Sequence, residues 1–235
     1  MRVLFIIPSY NAEKNLDDLF NSLQCQSDDR WFAIFIDDIS CDGTWRKILD
    51  LQDKDNRVHG IKNKSKKFAL KNIIETSRLF QTREDVIIAV IDGDDSLCNE
   101  KTVEILITEY MRGNDCVWTA HKWDVNGMNI SRSIPRNVDP YAWPWSSSHL
   151  RTFKASILST ISDSNFKDTS GRWFKRGYDQ ALMLPVLYKS QKRLYVNHVC
   201  YLYNINSVSM QTRNWAEKDQ ISTINLVRSR GFLEK

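Results

Sequence analysis

Apolar residues fall along this chain in two textures. Val3–Ile7, Trp31–Ile36 and Val86–Ile91 are short apolar runs without polar alternation. Such runs mark strands buried on both faces, as in a parallel sheet covered by helices. Between them, apolar positions recur at helical spacing. Leu16, Leu19, Phe20 and Leu23 form one stripe, and Trp45, Ile48 and Leu49 a second. Leu70, Ile73, Ile74 and Ser77 form a third; Val103, Leu106, Ile107 and Tyr110 a fourth, stopped by Gly113. Val58–Ile61 adds a short strand and Cys116–Ala120 a further one. Residues 1–120 therefore alternate strand and helix. Right-handed βαβ units predict one twisted parallel sheet with helices on both faces.

The second half reads differently. Leu150, Phe153, Ile157 and Leu158 predict a helix, and Ser162–Arg172 a polar loop. A helical stretch follows from Ala181 to Leu187, with Pro185 expected to kink or end its first turns. Leu194–Val199 and Cys200–Tyr203 read as strands, and Trp215–Lys235 as one partly exposed helix. No linker divides the chain. The expectation is one α/β domain over residues 1–235, with a ligand-binding half (1–120) and a second half (121–235).

The candidate chemistry begins where the strand Val86–Ile91 ends, in Asp92-Gly93-Asp94-Asp95. Open α/β sheets bind their ligands at the carboxyl ends of strands. Like charges this close oppose joint ionisation, and a divalent cation is the simplest remedy. Mg²⁺ binds in this way, through one or two carboxylates and substrate phosphates. The plain alternative is a solvated acidic turn. Lys62–Lys67 carries four lysines and leads into the helix that holds Lys71 and Asn72. Positive charge at a helix N-terminus opposes the macrodipole, which suggests a phosphate to meet it; a solvated loop is the alternative. Trp118, Trp123, Trp143 and Trp145 crowd a short span with Tyr141. Each alone suits a core, but as a cluster they suit a carbohydrate or acceptor surface. Asp179 precedes a helix and would ordinarily be a cap.

Composition narrows the classes. The 235 residues are 42% hydrophobic and 26% charged, so a folded core is expected. The net charge of +4 is too small to argue for nucleic acid, though it suits an anionic small ligand. Five scattered cysteines without a CxxC pair indicate neither a disulfide framework nor zinc, and fit a reducing, cytoplasmic setting. No apolar run approaches the ~20 residues of a membrane span. Peripheral membrane association stays open.

Taken together, these motifs resemble the inverting nucleotide-sugar glycosyltransferases of family 2, which have the GT-A fold. Val3–Asn11, with Pro8, Tyr10 and Asn11, looks like the family's first strand and donor-binding turn. Asp37-Asp38-Ile39-Ser40-Cys41-Asp42-Gly43-Thr44 is similar to its DD-x-S-x-DGT segment, which implies that Asp38 holds the nucleotide base. Ala69-x-x-Asn72 looks like its A-R-N helix start with Lys71 for Arg, and implies donor contacts from Lys67, Lys71 and Asn72. Asp92-Gly93-Asp94-Asp95 resembles its DxDD motif, which implies that Asp92, Gly93 and Asp94 face the donor and that Asp94 and Asp95 hold Mn²⁺ or Mg²⁺. Gly177-Tyr178-Asp179 stands where the family carries its catalytic base, which implies Asp179. Trp143, Trp145 and Tyr178 are then the expected acceptor-binding residues.

The resemblance implies transfer from a nucleotide diphosphate sugar, UDP-linked in first place, to a glycan, lipid-linked or protein acceptor. There are departures. Tyr178 replaces a frequent Glu, and Tyr203-Asn204-Ile205-Asn206-Ser207 lacks the late histidine of many members. His198, a water or the diphosphate itself would then complete the metal's coordination. Other readings compete on the residues. A sugar nucleotidyltransferase wants a Gly-rich loop after the first strand, and Pro8–Asn11 has no glycine. A phosphatase Asp loop wants Thr or Val where Asp95 stands. A dehydrogenase wants GxGxxG, which follows no expected strand. A non-catalytic nucleotide-sugar or carbohydrate-binding module remains as the alternative to an enzyme.

Overall fold

A computed structural model describes residues 1–205 and 210–234, with side chains described for 1–205 and 217–234. Asn206, Ser207 and Lys235, and the side chain of Trp215, lie outside the described residues.

The expected alternation is present from the start: β1 (Arg2–Ser9), α1 (Leu16–Gln24), β2 (Trp31–Asp37), α2 (Thr44–Lys54), β3 (Val58–Lys62), α3 (Phe68–Arg78) and β4 (Val86–Val90). A two-residue strand β5 (Ser96–Leu97), α4 (Thr102–Met111) and β6 (Cys116–Trp123) follow. Then come β7 (Arg151–Lys154), two short 3-10 helices (Ala155–Thr160 and Asp163–Phe166), α5 (Tyr178–Lys189), β8 (Arg193–Tyr203) and α6 (Met210–Arg230). Among the described residues they build one eight-stranded sheet in the order β3-β2-β1-β4-β7-β6-β8-β5.

The lack of alternation in the strands has a direct cause. Leu4, Ile6, Ile34, Ile36, Ile88 and Val90 face one apolar layer, which includes residues of α3 and α5. Val3, Phe5, Ile7, Ala33, Phe35, Ile87 and Ala89 face the other, with α1, α2 and α4. Successive side chains point to opposite faces, so a strand covered on both sides must be apolar throughout.

Several expectations are corrected. The sheet is not parallel throughout the first 120 residues. β3, β2, β1 and β4 are parallel, but β7 enters between β4 and β6 and runs antiparallel to both. The segment read as a helix at 150–158 supplies that strand and then a 3-10 turn. Its apolar spacing is ambiguous, because Leu150 and Phe153 serve opposite layers across the pleat. Ladders on both flanks then override the local helical pattern. Pro185 lies inside α5, which continues through it to Lys189. The two late strands are one, β8, and α6 begins ahead of Trp215.

Candidate active site

The parallel strands β1, β2 and β4 end together, and their exits form two acidic corners. The first is at β2. Asp38 follows the strand and is 3% exposed. Its Oδ1 accepts from the backbone N–H of Lys67 (2.8 Å) and from the amide of Asn63 (2.8 Å). Its Oδ2 accepts from the N–H of Phe68 (2.8 Å). These N–H groups belong to the start of α3, where free backbone donors favour an anion. Burial opposes the charge, yet the donors of Lys67, Asn63 and Phe68 hold the carboxyl below its usual range. Asn72 steadies the network by accepting from Asn63 (2.8 Å).

The turn after β1 is stitched to the same corner. Asn11 donates its N–H to Ser40 Oγ (3.0 Å), and its side chain accepts from the N–H of Cys41 (2.9 Å). Three non-glycine residues here have left-handed backbone: Asn11 (φ 52°), Ile39 (φ 63°) and Phe68 (φ 64°). For β-branched Ile39 that conformation is costly, and such strain gathers at functional sites. Tyr10 is exposed, and the Lys66 ammonium lies over its ring and 3.9 Å from Asp38. Lys67 and Lys71, expected at a phosphate, turn instead to Glu75 at 2.8 and 3.7 Å on the outer side of α3. Lys71 is one helical turn from Glu75 and Lys67 reaches the same carboxylate from the helix start, so Lys66 is the loop lysine that faces Asp38.

The second corner is at β4. Gly93 packs on the end of β1: an added Cβ would meet Ser9 Oγ at 2.7 Å and the Pro8 carbonyl at 3.1 Å. Only glycine lets the acidic turn lie this close. Asp95 is buried, and accepts from the Tyr201 hydroxyl (2.6 Å) and the N–H of Asn204 (2.7 Å). Burial, then the charges of Asp92 and Asp94, push its carboxyl up to about 9, against those two hydrogen bonds. Asp94 is partly exposed beside Asn15, at a cavity of about 120 Å³ also lined by Asp18, Asp95 and Asp124.

Sequence reasoning missed two residues of this corner. Arg151, 1% exposed on β7, donates Nη2 to Asp92 Oδ2 (2.9 Å) and to the Tyr178 hydroxyl (3.0 Å). Tyr178 in turn donates to Asp92 Oδ1. Its hydroxyl is thus turned inward, while the residue as a whole is only partly buried. The signal for Arg151 was the missing counter-charge for the acidic turn, which the sequence reading assigned to a divalent cation instead. His149, the second, stacks between Tyr201 and Tyr203 with ring centroids 4.6 and 5.0 Å away. Burial, then Arg151 and His121, keeps its imidazole neutral. His198, the histidine considered for the metal, is exposed on β8.

The donor set suits a divalent cation. One ligand atom each from Asp92, Asp95 and His149 lie within 4.8 Å of one another. Asp94 is outside that group, although the sequence paired it with Asp95. The His149 Nδ1 is buried with no hydrogen-bond partner among the described residues. Asp92 meets the Arg151 guanidinium, whereas the hydroxyl and N–H that Asp95 accepts from are neutral. Carboxylate with imidazole suits Mn²⁺ better than Mg²⁺.

Asp179 is in the first turn of α5, beside Tyr178. Burial raises its carboxyl above the usual range, and Arg151 is the main opposing influence. Trp143 and Trp145 are partly buried against the apolar layer that includes α5. Arg228 of α6 holds the Tyr141 and Trp143 carbonyls (2.8 and 2.9 Å) and Gln180 (2.7 Å). No helix of the described residues is long and apolar enough to cross a membrane.

Comparison with known proteins gives three findings. Residues 4–183 match the family model described as "Glycosyl transferase family 2". The "Putative teichuronic acid biosynthesis glycosyltransferase TuaG" of Bacillus subtilis (strain 168) is 30% identical over 219 residues, covering 91% of this chain and 82% of that protein. Among solved structures, S. aureus TarS 1-349 in complex with UDP-GlcNAc superposes with TM-score 0.69 at 15% identity, over 97% of this chain and 65% of that one. Mannosyltransferase PcManGT from Pyrobaculum calidifontis, in complex with GDP-Man and Mn²⁺, gives TM-score 0.63 at 15% identity, over 100% of this chain and 66% of that one. At such identity the last two speak to the fold.

Proposed function

The chain belongs to glycosyl transferase family 2, an enzyme family whose members invert, and from that premise we propose that it moves a sugar from a UDP-sugar to an acceptor hydroxyl, aided by a divalent cation. The observation that carries this reading is the pairing of two unlike acidic corners at the ends of β2 and β4. One is an anion with fixed donors, suited to a base edge. The other brings Asp92, Asp95 and the His149 imidazole within reach of one another, suited to a cation and through it a diphosphate.

Asp38, held by α3 and steadied by Asn63 and Asn72, reads the nucleotide base beside Tyr10, Asn11 and Pro8. Lys66 closes that side, in place of Lys67 and Lys71. Asp92, Asp95 and His149 would hold the cation, with Asp94 beside them toward the donor. A bound cation supplies Lewis-acid neutralisation of the leaving diphosphate. At the other end, Asp179 removes the proton of the acceptor hydroxyl as it attacks the anomeric carbon from the face opposite the diphosphate. A positioned base contributes roughly 10²–10⁴-fold in rate. Its burial suits the task, because a base works best with a pKa nearer the operating pH. One in-line displacement inverts the centre and needs no covalent intermediate. Trp143 and Trp145 present the acceptor surface: a glycan, free, lipid-linked or on protein.

The test is a thermal-shift panel of UDP, GDP and their sugars, with and without Mn²⁺, followed by donor turnover. A ligand selective for the folded state raises the melting temperature by mass action. UDP-sugars are expected to do so, more strongly with Mn²⁺, and turnover is expected with the same donor. Stabilisation by GDP-sugars alone would reassign the nucleotide, and binding without turnover would favour a non-catalytic module.

A further inference from the structure

We propose that Arg151 is a positioning residue of the transfer reaction: it clamps Asp92 and Tyr178 into one buried unit that fixes the base-bearing first turn of α5 against the donor edge. The inference rests on the reading of Asp179 as the base and of Asp92 as part of the donor edge.

Three separate elements meet at this arginine. β7 holds it from both sides, since Arg151 pairs with Val90 of β4 and with Trp118 of β6. A residue in the middle of a sheet has little freedom. Its Nη2 reaches Asp92 Oδ2 at 2.9 Å and the Tyr178 hydroxyl at 3.0 Å, and Tyr178 closes the triangle on Asp92 Oδ1. The guanidinium also lies 5.0 Å over the Tyr178 ring. Asp92 and Tyr178 are 86 residues apart in sequence, so this triangle, not the local chain, sets the distance between donor edge and base.

The first turn of α5 is also held from α6, where Arg228 donates to Gln180 (2.7 Å), but that contact does not reach the donor edge. Gly177 precedes it in the left-handed region (φ 60°) and offers no side-chain cap. The acidic residue of that turn is Asp179 itself. Helix N-termini are normally fixed by a side-chain acceptor. Here a tyrosine at the first helical position takes that role by reaching into the sheet. The Nε of Arg151 is buried without a partner among the described residues. An arginine kept only for stability would be expected to spend all its donors, because a buried unmet donor is costly.

Lysine at 151 keeps the charge but loses the planar guanidinium that lies over the Tyr178 ring and whose Nη2 is held between two acceptors. The test is therefore Arg151→Lys, measured for melting temperature, UDP affinity, kcat and KM, and for amide hydrogen exchange at residues 178–181. The expected result is a fold and UDP affinity near wild type, a kcat lower by on the order of 100-fold, and faster exchange confined to that turn. Tyr178→Phe should lower kcat in the same direction, and the double variant should be no worse than the worse single one, because the two act as a unit. Wild-type kcat and wild-type exchange in Arg151→Lys would overturn the proposal, as would fully additive losses. If Arg151→Lys does not fold, Tyr178→Phe with unchanged kcat and unchanged exchange overturns it equally. A wild-type protein that turns over no nucleotide sugar would defeat the functional reading instead; the exchange result would still decide whether the clamp exists.

Discussion

Asp38 and Asp95 stand at the ends of neighbouring parts of one sheet, both buried, and they behave as opposites. Asp38 is surrounded by donors from the start of α3 and by Asn63, and is held below the usual carboxylate range. Asp95 is surrounded by burial and by Asp92 and Asp94, and is pushed up to about 9 despite two hydrogen bonds. The difference teaches what each corner is for. A carboxylate whose charge the fold already satisfies can meet a neutral hydrogen-bonding partner such as a base. One whose charge the fold leaves unsatisfied waits for a cation or keeps a proton.

The largest effect is expected at the base on α5. Asp179→Asn should retain UDP affinity and lower kcat by at least ~100-fold, read from steady-state kinetics beside donor binding. The raised carboxyl of Asp179 adds a pH signature. The base must be ionised to act, so kcat should fall as pH drops through a value above the ordinary carboxylate range. An acid limb at or below about 4 would count against Asp179.

Next comes the satisfied corner. Asp38→Ala strips the acceptor from three donors and should cost about 3 kcal/mol, measured by urea unfolding, along with loss of UDP binding. A lowered carboxyl stabilises the fold above its unfolded pKa, near 3.9, and that contribution disappears as pH falls through the folded value. Asp38 should therefore make the wild-type fold lose stability as pH drops below about 4, a loss that Asp38→Ala should not share.

Asp95 should do the reverse. A raised carboxyl contributes stability below the unfolded pKa, and the contribution is lost as pH rises toward about 9. In EDTA, Asp95→Asn should cost little at pH 5 and should remove part of the decline in melting temperature between pH 5 and 9. Saturating Mn²⁺ at 100 times Kd should stabilise wild type by about 2.7 kcal/mol, more readily at high pH where the proton no longer competes, and should do little for Asp95→Asn. Equal Mn²⁺ stabilisation of both proteins would take Asp95 out of the cation site.

The smallest effect concerns strain at the first corner. Ile39 is a β-branched residue with φ 63° and is 41% exposed. Asn tolerates that backbone, so Ile39→Asn should raise stability by up to about 1 kcal/mol. A loss of stability would mean that the isoleucine side chain makes contacts that outweigh its conformation.

The chain's own pattern determined much of this. Unbroken apolar runs in β1, β2 and β4, with helical stripes between them, dictate strands covered on both faces, because each alternate side chain needs its own apolar layer. The acidic turn at 92–95 was legible because it follows such a run; the close approach of Gly93 to β1 was not, because it joins two strands far apart in sequence. What tertiary structure decided lies farther apart in sequence. The pattern at 150–158 fits helix and strand equally, and only the slot between β4 and β6 makes it β7. That choice buries Arg151 and turns Tyr178 inward, and it brings His149 from a long connection to the acidic edge. Glu75 likewise draws Lys67 and Lys71 to the outer side of α3 and leaves Lys66 with Asp38. Periodicity reports which residues avoid water; it carries no information on which distant charge will share a buried site, because that is fixed by strand order rather than by the neighbours along the chain.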